Sequence, residues 1–359
     1  MSECVVLAGG GTGGHVFPLV AVADALVRLR PGLTPIFVGT ERGMETRFVP
    51  ERGYRLELLS VLPIRGGGAR GVVRGVARAA ALLPESRALL RRLEPAAVFS
   101  VGGYAAGPVS LAARTLGLPL ALLEPNSVIG LANWLLSPVV DRAYTAFEIT
   151  DRRFAPAVVR RLGVPLRGGF VPRPQPAGRG PLRVLVLGGS QGAKALNEIV
   201  PQALARLKSP VQIVHQAGAA HIDDVRGRYE ALGLAARVTP FIDDMPAELA
   251  AAELVLSRSG ASAVSEILAV GRPSLLFPYP FASGDHQRIN AEAVERAGAG
   301  RSLPHEILGV ERLAAELTLL IDDRSVLSRM AEAARGMGQP DAATRVAEDF
   351  LDLAFGAAG

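Results

Sequence analysis

The sequence predicts an α/β chain built from two Rossmann-like, parallel-sheet halves in tandem. Strand-like apolar runs alternate with helical periodicity along its length. The opening unit of strand, Gly-rich turn and helix recurs at 181–204, in "PLRVLVLGGSQGAKALNEIVPQAL". Pro and Gly crowd together at 162–181, between the two series. Two similar parallel α/β halves, each with its sheet covered by helices, are the simplest account of all three.

The first half opens with Cys4–Ala8, a short buried strand, followed by "LAGGGTGGH" at 7–15 and a helix over 16–29. A Gly-rich turn between strand and helix gathers free amides and a positive dipole end, which suits a phosphate or another anion. Strands are then expected at 34–39, 96–103 and 118–124. After the repeat at 181–204 come 211–218, 237–242, 253–260 and 272–280. Small-residue turns recur at 102–107, 188–192 and 257–262. Ligands of such sheets sit at the carboxyl ends of the strands, so these turns are expected to meet at one phosphate or sugar site.

Bulk composition narrows the function. Hydrophobic residues make up 49% of the 359, enough for a large core, and the net charge of +5 suits nucleotides or anionic lipid. Aromatics are only 5% and are not interleaved with basic residues, so nucleic acid is not an expected partner. Cys4 is the single cysteine, which fits a reducing compartment and a buried structural role. The N-terminus lacks a basic leader, and the longest apolar stretch, 116–140, is broken by Pro119, Glu124, Pro125 and Asn126, so neither signal peptide nor membrane span is expected.

Several residues stand out for chemistry. His15 ends the first loop at a helix start, where the dipole favours a neutral imidazole able to accept a hydroxyl proton. Gly9, Gly11 and Gly14 also satisfy G-x-G-x-x-G, with Glu41 after the second strand, so a nicotinamide-dependent oxidoreductase is an alternative. That reading leaves the turns of the second half without a role. "GGSQGAK" at 188–194 lacks the hydroxyl of a Walker loop, but Ser190 and the loop amides suit a diphosphate. Glu266, two turns into the helix after "RSGAS", is placed for a ribose diol. There is no D-x-D pair, clustered Cys/His or EF-hand loop, so no metal site is expected.

"GGTGGHVFP" (10–18), "GGYAAGP" (102–108), "GGSQGA" (188–193), "FIDDM" (241–245), "SGASAVSEI" (259–267) and "DHQRINA" (285–291) follow in the order of one family. The sequence resembles the MurG family of N-acetylglucosaminyltransferases from about residue 5 to about 350. The resemblance implies the GT-B fold: two Rossmann-like domains, 1–162 and 163–340, facing a central cleft, with residues 341–359 returning to the first. It implies inverting transfer of GlcNAc from UDP-GlcNAc to the muramyl O4 of undecaprenyl-diphospho-MurNAc-pentapeptide (lipid I), giving the peptidoglycan precursor lipid II, with no cofactor. By motif position His15 matches the general base, and Thr12, Gly13 and Gly14 match first-loop contacts. Asn126 and Gln287 match sugar contacts, and Arg167 and Ser190 match diphosphate contacts. Ile242 matches the uracil contact, Ala261, Ser262, Ala263, Val264 and Ser265 the nucleotide-binding turn, and Glu266 the ribose ligand.

The chain departs from the family around Asn126, reading Leu123-Glu124-Pro125-Asn126-Ser127 where many members read H-E-Q-N-G. It departs again before Arg167, with Gly163-Val164-Pro165-Leu166-Arg167 for G-N-P-V-R. The implied lipid acceptor places the protein at the cytoplasmic face of the inner membrane. An anionic-surface contact is expected through 65–92, where Arg70, Arg74 and Arg78 form a stripe if the segment is helical. A UDP-GlcNAc 2-epimerase of the same architecture and a non-catalytic glycolipid-binding protein are the remaining alternatives.

Overall fold

The computed structural model describes residues 3–41, 43–59, 81–103, 105–176, 180–189 and 192–356. The chain forms two compact units, Met1–Gly168 with Asp341–Gly359, and Gly169–Pro340.

Among the described residues, unit 1 holds a parallel sheet of seven strands. They are β1 (Cys4–Gly9), β2 (Thr34–Thr40), β3 (Arg55–Leu59), β4 (Val98–Gly102), β5 (Leu120–Glu124), β6 (Arg142–Thr145) and β7 (Val159–Arg161). Their order is β3-β2-β1-β4-β5-β6-β7. The central strands β4 and β5 are buried throughout, as an all-parallel sheet with both faces covered requires. On one face lies the helix Gly13–Leu29, with Val16, Leu19, Val22 and Leu26 in the core. On the other face, Leu89 and Leu90 of the helix Leu83–Leu93 pack with Val109 and Ala113 of the helix Ala106–Thr115.

The last helix, Ala342–Phe355, belongs to unit 1. Its Val346, Ala347 and Phe350 join the core beneath helix Gly13–Leu29, and the Phe350 ring meets Phe99 edge-on at 5.2 Å. Full burial of Phe350 contributes about 2–3 kcal/mol. At the helix surface Asp349 accepts from the Tyr144 hydroxyl and from Arg142 and Arg160.

Unit 2 repeats the plan with six described strands, β8 (Leu182–Leu187), β9 (Val211–Gln216), β10 (Ala236–Thr239), β11 (Leu254–Ser257), β12 (Ser274–Leu276) and β13 (Gly300–Ser302), in the order β10-β9-β8-β11-β12-β13. Both sheets thus reverse direction after their first strand, between β1 and β4 and between β8 and β11. In such sheets the crevice at the reversal is where ligands bind. The loops there are 10–12 and 103–105 in unit 1, and 188–193 and 258–260 in unit 2. These coincide with the first Gly-rich loop and the three small-residue turns marked in the sequence.

Candidate active site

Each unit carries its own cluster of candidate residues. In unit 1, β1 ends at Gly9, beside Gly102 of β4. Gly11 has φ of +93°, which only glycine adopts readily, and the helix begins at Gly13. Thr12 occupies the N-cap position, exposed, and its hydroxyl makes no capping bond. Gly14 and His15 are half-buried in the first turn. His15 Nδ1 lies 3.2 Å from the Gly10 carbonyl oxygen. A carbonyl only accepts, so the neutral ring carries its proton on Nδ1 and leaves Nε2 as the basic nitrogen.

The first loop also contains what the sequence did not mark. Glu45 is 1% exposed, and its carboxylate accepts from the Gly11 amide at 2.7 Å, the Thr40 amide at 2.9 Å and the Thr40 hydroxyl at 3.0 Å. The expectation of a phosphate cradle in this loop is therefore corrected at Gly11, whose N–H already serves an internal carboxylate. The same charge disfavours a pyrophosphate there, and with it the dinucleotide reading built on Gly9, Gly11, Gly14 and Glu41. Glu41 itself is exposed after β2.

Asn126 follows β5 and is shaped by Glu124, 2% exposed. Glu124 accepts from the Asn126 amide and side chain at 3.1 and 3.3 Å, from Gly130 N at 2.9 Å and from Asn133 Nδ2 at 3.0 Å. One carboxylate thus folds the loop in which the family pattern departs. Arg167 is half-buried on the same unit, with its guanidinium 4.2 Å from the Phe17 ring centroid. Arg167 and Phe17 line a cavity of about 150 Å³ with Val20, Phe48, Glu51 and Arg52.

In unit 2 the loop after β8 turns at Gly189 and Gly192, both with positive φ, while Ser190 lies outside the described residues. Gln216, 3% exposed, donates to the Gly189 carbonyl at 2.9 Å and accepts from the Ile242 amide at 3.0 Å. It therefore joins the diphosphate-type loop to the residue matched with uracil. The helix Ala261–Val270 starts after Gly260 in extended backbone with no side-chain cap, and a helix N-terminus is suited to an anion. Ala261 and Val264 are buried, whereas Ser262, Ala263, Ser265 and Glu266 are half-buried. Gln287 is held beside this turn: its side chain accepts from Tyr279 N at 3.0 Å and its carbonyl from the Ser259 hydroxyl at 2.7 Å.

The structure thus groups Thr12, Gly13, Gly14 and His15 in the first loop and helix start of unit 1, with Asn126 and Arg167 on the same unit. Ile242, 261–266 and Gln287 all lie on unit 2, Gln287 beside the 261–266 turn through Ser259 and Ile242 bonded to Gln216. Glu45 and Gln216 were missed because a buried acid or amide in a helix or strand carries no motif. For Glu45 the only trace is the bare α-carbons of Gly10, Gly39 and Gly43 around its side chain.

The glycosyltransferase family 28 N-terminal domain model matches residues 5–145, and the family 28 C-terminal domain model matches 183–346. The chain is 53% identical over 357 residues to a UDP-N-acetylglucosamine–N-acetylmuramyl-(pentapeptide) pyrophosphoryl-undecaprenol N-acetylglucosamine transferase of Sorangium cellulosum, covering 98% of this chain and 88% of that one. It is 42% identical to the enzyme of the same name from Acidithiobacillus ferrooxidans, covering 99% of both. The crystal structure of Acinetobacter baumannii MurG superimposes with a TM-score of 0.78 at 33% identity, covering 97% of this chain and 99% of that chain. With this identity along nearly the whole chain and the fold in common, the chain belongs to the MurG family of N-acetylglucosaminyltransferases, of the GT-B fold, within glycosyltransferase family 28.

Proposed function

We infer that this chain transfers GlcNAc from UDP-GlcNAc to the muramyl O4 of lipid I, forming lipid II for peptidoglycan synthesis, with inversion at the sugar carbon. The carrying observation is the 53% identity over 98% of the chain to a transferase named for that reaction. Neither the 2-epimerase nor the nicotinamide alternative is favoured. In this reading His15 Nε2 takes the acceptor hydroxyl proton as the new bond forms. The N-terminal amides of the helix Ala261–Val270, the loop at 188–193 and Arg167 offset the charge that develops on departing UDP. Glu266 binds the ribose, Ile242 the base, and Asn126 and Gln287 the sugar. No metal or other cofactor enters the scheme.

The acceptor's lipid anchor brings the protein to the inner face of the cytoplasmic membrane as a peripheral protein. No helix among the described residues is long and apolar enough to cross a membrane. Arg70, Arg74 and Arg78 lie outside the described residues. The described end of that segment, Leu83–Leu93, buries Leu89 and Leu90 in the core and donates from Arg92 to Glu57 at 2.8 Å, so it is an ordinary domain helix. Beside the Asn126 loop, Leu131, Trp134 and Leu135 stand 44%, 50% and 46% exposed on one helix face. A tryptophan among leucines suits the headgroup level.

The test is turnover with UDP-GlcNAc and a short-chain lipid I analogue, with product stereochemistry read by NMR. A β-linked disaccharide product supports the reading. Release of ManNAc or hydride transfer with NADH overturns it.

A further inference from the structure

The glycines around His15 raise a physical question. A Cβ placed on Gly10 or Gly43 would collide with the Glu45 carboxylate, and one on Gly39 with its Cγ. Three bare α-carbons from three segments therefore form the recess that houses one buried acid. The Gly10–Gly11 peptide lies against that recess. Its N–H donates to Glu45 Oε2 at 2.7 Å, and its C=O faces His15 Nδ1 at 3.2 Å. The Gly11 carbonyl in turn accepts from Met44 N at 3.1 Å, so the turn that carries Glu45 is pinned to the loop from both sides.

We propose that Glu45 is a positioning residue for His15, acting through the Gly10–Gly11 peptide. The carboxylate fixes the peptide plane, and the plane aims the Gly10 carbonyl at Nδ1. Hydrogen bonds in series polarise one another, so an anionic acceptor at the N–H end makes the carbonyl a stronger acceptor at the other. The carbonyl holds the proton on Nδ1 and leaves Nε2 free for the substrate hydroxyl. This is the task a carboxylate performs directly on the histidine of a hydrolase triad, relayed here by one peptide bond. The three glycines, on this account, exist to admit a carboxylate rather than a phosphate.

The inference rests on His15 being the base, and the experiment separates the two. Glu45→Gln, His15→Ala and the double variant are assayed for kcat and KM, with ¹⁵N NMR of the His15 ring. Glu45→Gln is expected to lower kcat by about 10- to 100-fold, the range seen when an outer group that orients a metal-ligating imidazole is lost, with KM for UDP-GlcNAc nearly unchanged. In the His15→Ala background it is expected to have no further effect. The ring is expected to show Nδ1–H in the parent and a tautomer mixture in Glu45→Gln. Thr40→Val, which trims the same carboxylate's other partner, is expected to cost stability without the loss of kcat. If Glu45→Gln does not fold, Glu45→Asp, which keeps the charge but falls short of Gly11, takes its place. An unchanged kcat, or a fall that persists in full without His15, overturns the role of Glu45. Near-normal turnover by His15→Ala overturns the assignment of the base instead.

Discussion

Asp349 on the last helix accepts a hydrogen bond from the Tyr144 hydroxyl at 2.8 Å, across 205 residues of sequence. Arg142 and Arg160 reach the same carboxylate, each at 3.2 Å. Burial, reinforced by Asp349, holds the Tyr144 phenol well above the ordinary tyrosine range, so it remains a donor at any working pH. Asp349→Ala leaves that buried hydroxyl and two arginines without their shared acceptor. It is expected to lower stability by about 1–3 kcal/mol, read as an earlier urea midpoint with a similar slope. Asp349→Asn, which can still accept, is expected to lose less.

His215 titrates in the core of unit 2. It is fully buried, bonded to Tyr229 Oη at 3.0 Å and Asn197 Oδ1 at 3.1 Å, and burial pushes its pKa down to about 4. The unfolded chain takes up this proton near pH 6.5 and the folded chain only near 4. Between those values the unfolded state binds more protons, so stability falls as pH drops from 6.5 toward 4, by up to about 3 kcal/mol. Thermal melts across this window are expected to show the fall, and His215→Gln is expected to flatten it. A parent curve that is level there would contradict the assignment.

Arg272 is buried, and among the described residues no carboxylate bonds it. It donates to four carbonyls, of Leu249 at 2.8 Å, Ala250 at 2.9 Å, Arg173 at 3.1 Å and Gly271 at 3.2 Å. Burial, with Arg335 and Arg173 nearby, pulls its pKa down to about 10, which leaves it charged at neutral pH. Lysine cannot span four carbonyls held in a fork. Arg272→Lys is expected to destabilise the protein by about 2–4 kcal/mol by equilibrium denaturation, while UDP affinity of the folded fraction stays unchanged.

Glu266 provides the direct test of nucleotide selection. Glu266→Ala is expected to weaken UDP about tenfold or more, as loss of charge-assisted bonds to a diol does, and to narrow the preference over deoxyuridine diphosphate. Calorimetry showing unchanged UDP affinity would leave Glu266 as a helix-surface residue.

Much of this was legible in the sequence because the central strands are apolar and each is closed by small residues. β4, β5, β8, β9, β11 and β12 fall within the expected runs, β1 and β2 each run one residue past theirs, and β10 starts one residue before its own. The first helix starts at Gly13 rather than at 16, because its glycines form the opening turn. The strands that went unmarked are β3, β6, β7 and β13, which are short and rich in arginine or polar residues. They lie toward or at the sheet edges, where one side of the strand has less to bury and alternation fades. In the site, residues presented by glycine turns could be found by pattern. Glu45, Glu124 and Gln216 could not, since their work is to hold backbone groups, and any segment can supply the acceptor.

The return of the last helix to unit 1 has a consequence for synthesis. Phe350, Val346 and Ala347 complete a core that begins at Val5, so the first unit emerges lacking one wall of its interior. The second unit, Gly169–Pro340, must be translated before that wall arrives. At ~5–20 residues per second, the apolar floor beneath helix Gly13–Leu29 stays open for on the order of ten seconds or more. During that interval the nascent chain is a client for whatever shields exposed apolar surface. Messages truncated near their end would yield a product that has every residue of the glycine loop and His15 but leaves that apolar floor uncovered.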